Sequence, residues 1–417
     1  MTIAQLTIES WCKELSYELN EQILGYWMKH TVDEKYFGFI GEISHDGIPL
    51  PEADKGLVLH ARILWTFAAS YRNEPRVEYL TIARRAYDTL IEKFVDPEHG
   101  GLYWMIDIQG KPVSDKKQIY GQAFVIYALA EYVRATQDKE ALDWAKRLYG
   151  LIEKHAYDCV NLGYVEALAR DWSETSDLSL SGKDLNERKS MNTHLHVLEA
   201  YTNLYRIWKP AGLKAKLKEL IEVHLDLILD SKSEHFLLFF DDEWQSKSEE
   251  VSYGHDIEGS WLLYEAAEVL GDAALIERVK SAALNMAEAT LKEGVDKDGG
   301  VFNEFDGEHL DDTKDWWPQA EAMVGFYNAY QLSGDQRYLD AAHASWSFIT
   351  RFVSDREQGE WHWQLTREGK PFFADDKPKV GAWKCPYHNS RACLEVLERI
   401  ERSNLGVKES AGEKHHK

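Results

Sequence analysis

Histidine is the side chain whose proton affinity lies nearest neutrality, and this sequence places several where a reacting molecule could use them. His255 and Glu258 stand at i and i+3 in GHDIEGSW, on one face of a helix. A carboxylate beside an imidazole fixes its tautomer and tunes its basicity, which suits a general base. The plainer reading is a pair that stabilises a helix start. His388 follows KCPY, where Pro386 is set to open a helix, so it is either a second proton carrier or a capping residue. In NTHLH, His194 and His196 alternate faces, and His196 shares its face with Asn192 and Glu199. His194 therefore reads as packing.

Arg62 sits among apolar residues in ARILWTF, where a charge is costly unless it is paired or used. An internal salt bridge is the structural alternative. Trp316 and Trp317 in DWWPQAEA, and Trp383 in GAWKCPYH, supply either core area or the flat apolar faces on which sugar rings stack. Adjacent indoles diverge on a helix, so one of the first two is expected to face a cavity. Other chemistries lack their signatures. There is no HExxH or tight His/Cys/Asp cluster with zinc spacing, no GxGxxG after a strand and no P-loop. No GxSxG occurs, and Cys385 has no Cys–His signature. No metal and no cofactor are expected.

What must position these groups is a set of helices. LVLHARILWTFAASYR, YGQAFVIYALAEYVRAT, NTHLHVLEAYTNLYRIW and HDIEGSWLLYEAAEVLG place apolar residues at i, i+3, i+4 and i+7. Between them lie Gly-punctuated, aromatic-rich stretches such as GGLYWMIDIQGKPV and GGVFNEFDGEHLDD, which read as strands entering tight turns. Six such stretches start near residues 38, 100, 163, 236, 300 and 359, a period of roughly 60. Helices are expected near 5–30, 56–73, 76–95, 117–136, 138–156, 187–208, 212–230, 254–270, 272–293, 316–332, 335–354 and 386–402.

Twelve helices in six antiparallel pairs suggest an open solenoid or a closed double ring, and the lack of polar capping repeats favours closure. The fold class is then all-α: an (α/α)6 barrel of six helix pairs with short β-hairpin loops at one end. The even-numbered helices mix small, aromatic and buried polar residues and belong inside; their partners are plainly two-faced. Arg62, Tyr120, Asn192, His196, His255, Glu258, Trp316, Trp317 and His388 fall near the N-terminal parts of those inner helices. If the helices run parallel, these residues converge at one mouth of the ring. One barrel domain is expected over 1–404, followed by a polar, disordered tail over 405–417.

Composition narrows the partners. A net charge of −23 spread along 417 residues argues against nucleic acid and anionic membrane surfaces. No signal peptide or membrane span is read, and the four cysteines show no paired spacing, which indicates reduced thiols in a cytoplasmic protein. A monomer or weak homodimer is expected.

The stretches RILWTFAASYR, IYGQAFVIYALAEY, KSMNTHLHVLEAYTNLYRIW, SYGHDIEGSWLLYEAAEVLG, WWPQAEAMVGF and KCPYHNSRACLE resemble the N-acylglucosamine 2-epimerase superfamily, most closely its cellobiose 2-epimerase branch. The resemblance runs from about residue 56 to 400. It implies an (α/α)6 barrel and cofactor-free epimerisation at C2 of a reducing-end sugar, either a cellobiose- or lactose-type disaccharide or free mannose and glucose. It implies His255 and His388 as the acid/base pair on opposite sides of the sugar, and His196 as an auxiliary group. Arg62, Tyr120, Asn192 and Glu258 match residues that hold hydroxyls or orient the histidines. Trp317 and Trp383 match stacking positions, and Trp316 stands beside them. The alternatives are an aldose–ketose isomerase of the same superfamily, an (α/α)6 glycoside hydrolase working through paired carboxylates, and a helical-repeat binding module without turnover.

Overall fold

The computed structural model describes residues 3–413, and side-chain surroundings for residues 8–403. The first helix, α1, runs Ile3–Tyr17 and continues through a π-helical stretch, Glu18–Leu24, to Gly25–His30. The others are α2 Leu57–Asn73, α3 Val77–Thr89, α4 Ile119–Thr136, α5 Lys139–His155, α6 Met191–Ile207 and α7 Ala211–Val223. Then come α8 Tyr253–Leu270, α9 Ala273–Ala289, α10 Trp316–Ser333, α11 Gln336–Phe348 and α12 Tyr387–Glu413. The expected polar tail begins inside α12, and residues 414–417 lie outside the described residues.

Patterning decides which helices lie inside. In α5 the buried residues are Ala141, Ala145, Leu148 and Ile152, a single stripe. In α4 every residue from Ile119 to Val133 is buried. The even-numbered helices pack each against the next, and α12 returns to pack on α2, so the inner ring closes. Short turns join each inner helix from α2 to α10 to the outer helix that follows it. Long loops lead back inward, so α1 packs on α12 and completes the outer layer. Glu18 of α1 anchors that seam, accepting from Trp361 Nε1 at 2.8 Å and Arg356 at 2.7 Å.

The short strands fix the ring's register. The two residues before an inner helix pair antiparallel with the hairpin of the next repeat. Lys55–Gly56 pairs with Met105–Ile106, and Lys117–Gln118 with Ala167–Leu168. Lys189–Ser190, Val251–Ser252 and Lys314–Asp315 pair with Phe239–Phe240, Glu304–Phe305 and Gln364–Leu365. A bridge from Val380 to Ile43 makes the sixth join. These pairings also cap the inner helices. The N–H groups of Leu57, Ile119, Met191 and Trp316 donate to the carbonyls of Trp104, Glu166, Leu238 and Trp363. Backbone donors that a side-chain cap would otherwise satisfy are thus met by the neighbouring repeat.

Candidate active site

Each inner helix begins at the hairpin end, so its first turns open on one shared space. Beneath it, buried lysines two residues before the helices pair with aspartates at the loop starts: Lys55 with Asp33 (2.6 Å), Lys117 with Asp96 (3.0 Å) and Lys189 with Asp158 (2.8 Å). Lys314 with Asp296 (3.0 Å) continues the series, and Lys379, further ahead of its helix, pairs with Asp355. These aspartates also accept turn N–H groups, as Asp96 does from Glu98 and His99. In the first turn of α6, His194 donates from Nδ1 to Ser190 O (2.6 Å) and accepts from Tyr164 N–H at Nε2 (2.8 Å). It is a structural cap, as expected from its face.

The shared space is a cavity of about 340 Å³, and Arg62, Tyr120, Asn192, His196, His255, Glu258, Trp316, Trp317, Trp383 and His388 all line it. Both adjacent indoles reach it, against the expectation that only one would. The helix start turns Trp317 across the mouth, while Trp316 packs edge-on to Trp363 at 5.0 Å. Trp317 lies 4.7 Å from His255 and 5.7 Å from His388, centroid to centroid. Gly254 permits this approach, since a Cβ there would stand 2.5 Å from the Trp317 ring.

The three imidazoles share one arrangement. His388 Nδ1 contacts Glu321 Oε1 at 2.7 Å, His196 Nδ1 contacts Glu199 Oε2 at 2.8 Å, and His255 Nδ1 contacts Ser252 Oγ at 2.8 Å. Among the described residues none has a partner at Nε2, so each is held by one nitrogen and presents the other. A carboxylate at Nδ1 requires a proton there, which leaves the Nε2 lone pair of neutral His388 and His196 available as a base. Burial, and then His196, holds His255 down to about 3. Burial, and then Arg62 and Arg391, holds His388 well below the ordinary histidine value.

Glu258 does not pair with His255, although the i, i+3 spacing predicted it. Its Oε1 accepts from Arg391 Nη2 at 2.5 Å and lies 3.9 Å from His388 Nδ1. The same guanidinium nitrogen donates to Glu321 at 2.6 Å, and Arg391 also bonds Glu199 and Tyr387. One cation faces three buried carboxylates, so they cannot all ionise cheaply. Burial and then Glu321 push Glu258 up to about 7, and its Oε2 has no partner. Glu258, Glu321 and His388 are close enough together to hold a metal ion, but the Arg391 guanidinium already fills the space between the two carboxylates.

Arg62 is the opposite case. No carboxylate lies within salt-bridge distance among the described residues, so the expected alternative of an internal ion pair is not realised. Its Nη2 donates to Tyr120 OH at 2.8 Å and its Nη1 to Trp383 O at 3.5 Å, with Phe124 beneath at 4.3 Å. A buried guanidinium left with neutral partners is poised for an anion that forms during reaction.

Sequence reasoning placed Glu199 on the face of His196 but missed Glu321, which reaches His388 from another helix, and Arg391 and Tyr387, which tie that carboxylate cluster together. It also missed the rim: Ser181 to Asp184 on one loop, and Asp315, Trp363, Asp376 and Lys377 across from it. The only advance signal for the first loop was its length, since the 156–190 connection is longer than a hairpin needs.

A closed helical ring whose cavity is walled with indoles and holds three imidazoles has the character of a carbohydrate-handling enzyme. The N-acylglucosamine 2-epimerase (GlcNAc 2-epimerase) family model matches residues 38–392, and the chain belongs to that family. It is a sugar 2-epimerase, an isomerase. It is 49% identical to a cellobiose 2-epimerase of Bacteroides fragilis over 92% of this chain and 98% of that protein. The structure of a cellobiose 2-epimerase from Bacillus thermoamylovorans superposes with a TM-score of 0.89 at 41% identity, covering 94% of this chain and all of the other. A D-mannose isomerase shares the fold, with a TM-score of 0.78 at 21% identity over 93% of this chain and 97% of the other.

Proposed function

We propose that the protein interconverts glucose and mannose configurations at C2 of the reducing-end sugar of a β-1,4-linked disaccharide such as cellobiose, without cofactor or metal. The observation that carries this reading is a pair of imidazoles, His388 buried and His255 half-buried, each tethered through Nδ1 and both packed on Trp317. The similarity to cellobiose 2-epimerases supports the disaccharide over free mannose or glucose.

The sugar ring opens, and the aldehyde acidifies the proton on C2. A neutral imidazole takes that proton, leaving a cis-enediolate whose developing charge on O1 is met by Arg62 and the Tyr120 hydroxyl. Deprotonation on one face and protonation from the other need two separate proton carriers. His388, kept neutral by burial, takes a proton at Nε2 from solvent once the ring has opened, and Glu321 at Nδ1 and the charge of the enediolate hold it as imidazolium. That histidine returns a proton to C2 on the opposite face, and each histidine re-equilibrates with solvent. Trp383 and Trp317 stack on the sugar, Trp316 backs them, and Asn192, Glu258 and His196 hold hydroxyls. Protonation at C1 instead would release a ketose.

The same reading takes the ring as a single catalytic domain, acting as a monomer or weak homodimer. Four free cysteines suit the cytoplasm, and among the described residues no helix is long and apolar enough to cross a membrane.

The test is proton NMR in D2O with metal-stripped protein and cellobiose, or separately mannose. Epimer carrying deuterium at C2 is the expected result. Ketose as the main product would reassign the protein to aldose–ketose isomerisation. Folded protein giving no epimer and no exchange would overturn the reading.

A further inference from the structure

Beyond the cavity rim, two adjacent phenylalanines stand in solvent: Phe372 is 46% exposed and Phe373 is 59% exposed. Large apolar groups are normally scattered singly on a surface, and a contiguous pair beside a ligand cavity calls for a use. Phe373 is also held in place. His45, from the first hairpin, packs on it at 5.0 Å and 30°, and His362 meets it edge-on at 6.0 Å and 75°. A ring propped from two sides presents its remaining face without losing conformational freedom on binding.

This face is continuous with the cavity. His45, His362, Trp363, Phe372, Phe373 and Lys377 border one shallow depression, and two of them, Trp363 and Lys377, also line the cavity itself. Trp316 packs on Trp363 at 5.0 Å, and Trp363 borders the same depression of about 10 Å³ as Phe373, so a sugar beyond the cavity would lie over the exposed rings and not within that depression. Lys377 extends over the Trp363 ring, with its Nζ 5.5 Å from the centroid, and offers donors to hydroxyls along that line.

We infer that Phe372 and Phe373 form a distal carbohydrate subsite, which receives the third unit of a β-linked glucooligosaccharide whose reducing end occupies the cavity. This rests on the reading of the cavity as a sugar site. The occupant is a neutral, polyhydroxylated chain because the surface pairs flat apolar faces with hydroxyl-directed polar groups and continues a cavity of the same character.

Isothermal titration with cellobiose and cellotriose tests it, using the wild type, Phe373→Ala and the Phe372→Ala/Phe373→Ala double variant. In the wild type the Kd for cellotriose is expected to be about tenfold below that for cellobiose, a stacking-sized gain. Both variants should lose that gain while their cellobiose affinity stays within about twofold, which also shows that they are folded. Equal affinities in the wild type, or a gain that survives in the double variant, would overturn the subsite. A gain that survives while the variants sediment as smaller species would instead assign the patch to contact between copies of the chain. Failure of C2 exchange in the NMR experiment would remove the proposed activity and leave this comparison of affinities readable.

Discussion

At one end of the ring three half-buried arginines each face a carboxylate, and at the other the buried Arg62 faces none. Arg72, Arg134 and Arg206 lie in the last turns of α2, α4 and α6, where a helix terminus favours a cation. Arg72 bonds Glu131 and Glu398 at 2.7 Å, Arg134 bonds Glu131 at 2.7 Å, and Arg206 bonds Glu265 at 2.6 Å. The space left among them is about 20 Å³, room for little more than a water. At the hairpin end the cavity is about 340 Å³, and Asn192 Oδ1, Glu258 Oε2 and Arg62 Nε are buried without partners. Both ends are charged and aromatic, so charge does not separate structure from function here. Incomplete satisfaction of charged and amide groups does: among the described residues at the base only the indole Nε1 of Trp65 goes unmet, whereas an unmet buried carboxylate or guanidinium is costly unless a ligand meets it.

The largest effect that would sharpen this contrast is at His388. Asn in its place keeps a polar side chain but removes the proton carrier, so kcat for cellobiose should fall about a thousandfold. Glu321 keeps its bonds to Arg391 and Trp261, so the melting temperature should move by less than about 3 °C. Unchanged turnover in His388→Asn would reduce this residue to a helix-start packing group and break the assignment of the hairpin end as reactive.

A smaller effect separates two groups of the hairpin end by pH. His255 falls from an ordinary 6.5 to about 3 in the fold, so the unfolded chain binds its proton first as pH drops. Its contribution to stability is therefore full above about 6.5 and is lost as pH falls towards 3, at up to about 1.4 kcal/mol per pH unit. Glu258 runs the other way. Its folded value of about 7 exceeds the ordinary 4.5, so stability drops as pH rises through that window. Urea unfolding between pH 6.5 and 4.5 should show His255→Asn losing less stability than the wild type. Glu258→Gln should remove the opposite slope. Curves parallel to the wild type in both variants would mean that neither group is desolvated as its surroundings indicate.

Much of this was legible in the sequence because it is local or periodic. The 3.6-residue pattern located α2 at 56–73 against an observed Leu57–Asn73, and the 60-residue repeat announced the ring. That repeat also sent nine of the chosen residues to one mouth, since equivalent positions in parallel helices must converge, while Trp383 joins them from the loop before α12. What the sequence hid was pairing across the ring. Spacing coupled Glu258 to His255, yet helix α12 brings Arg391 to Glu258 from 133 positions away, with His388 beside it. Glu321 sits mid-helix in α10 and looks like any amphipathic glutamate until the ring closes on it. The Lys–Asp pairs under the hairpins left a trace, a lysine two residues before most inner helices, but their aspartates lie at varying distances upstream.

The smallest effect comes from the satisfied end. The Arg206–Glu265 pair is about a quarter exposed on each side, at 27% and 24%, so solvent screens it. Arg206→Met should cost about 0.5 kcal/mol by urea unfolding and leave kcat/KM for cellobiose within about twofold. The measurement has force because the two ends are physically connected. Glu199 borders the small space at the base and also anchors His196 and Arg391 at the floor of the cavity. If removing Arg206 cost tenfold in kcat/KM at near-constant stability, charge at the base would be reaching the imidazoles through Glu199. The hairpin end would then be the exposed half of one electrostatic unit rather than a site set on an inert support.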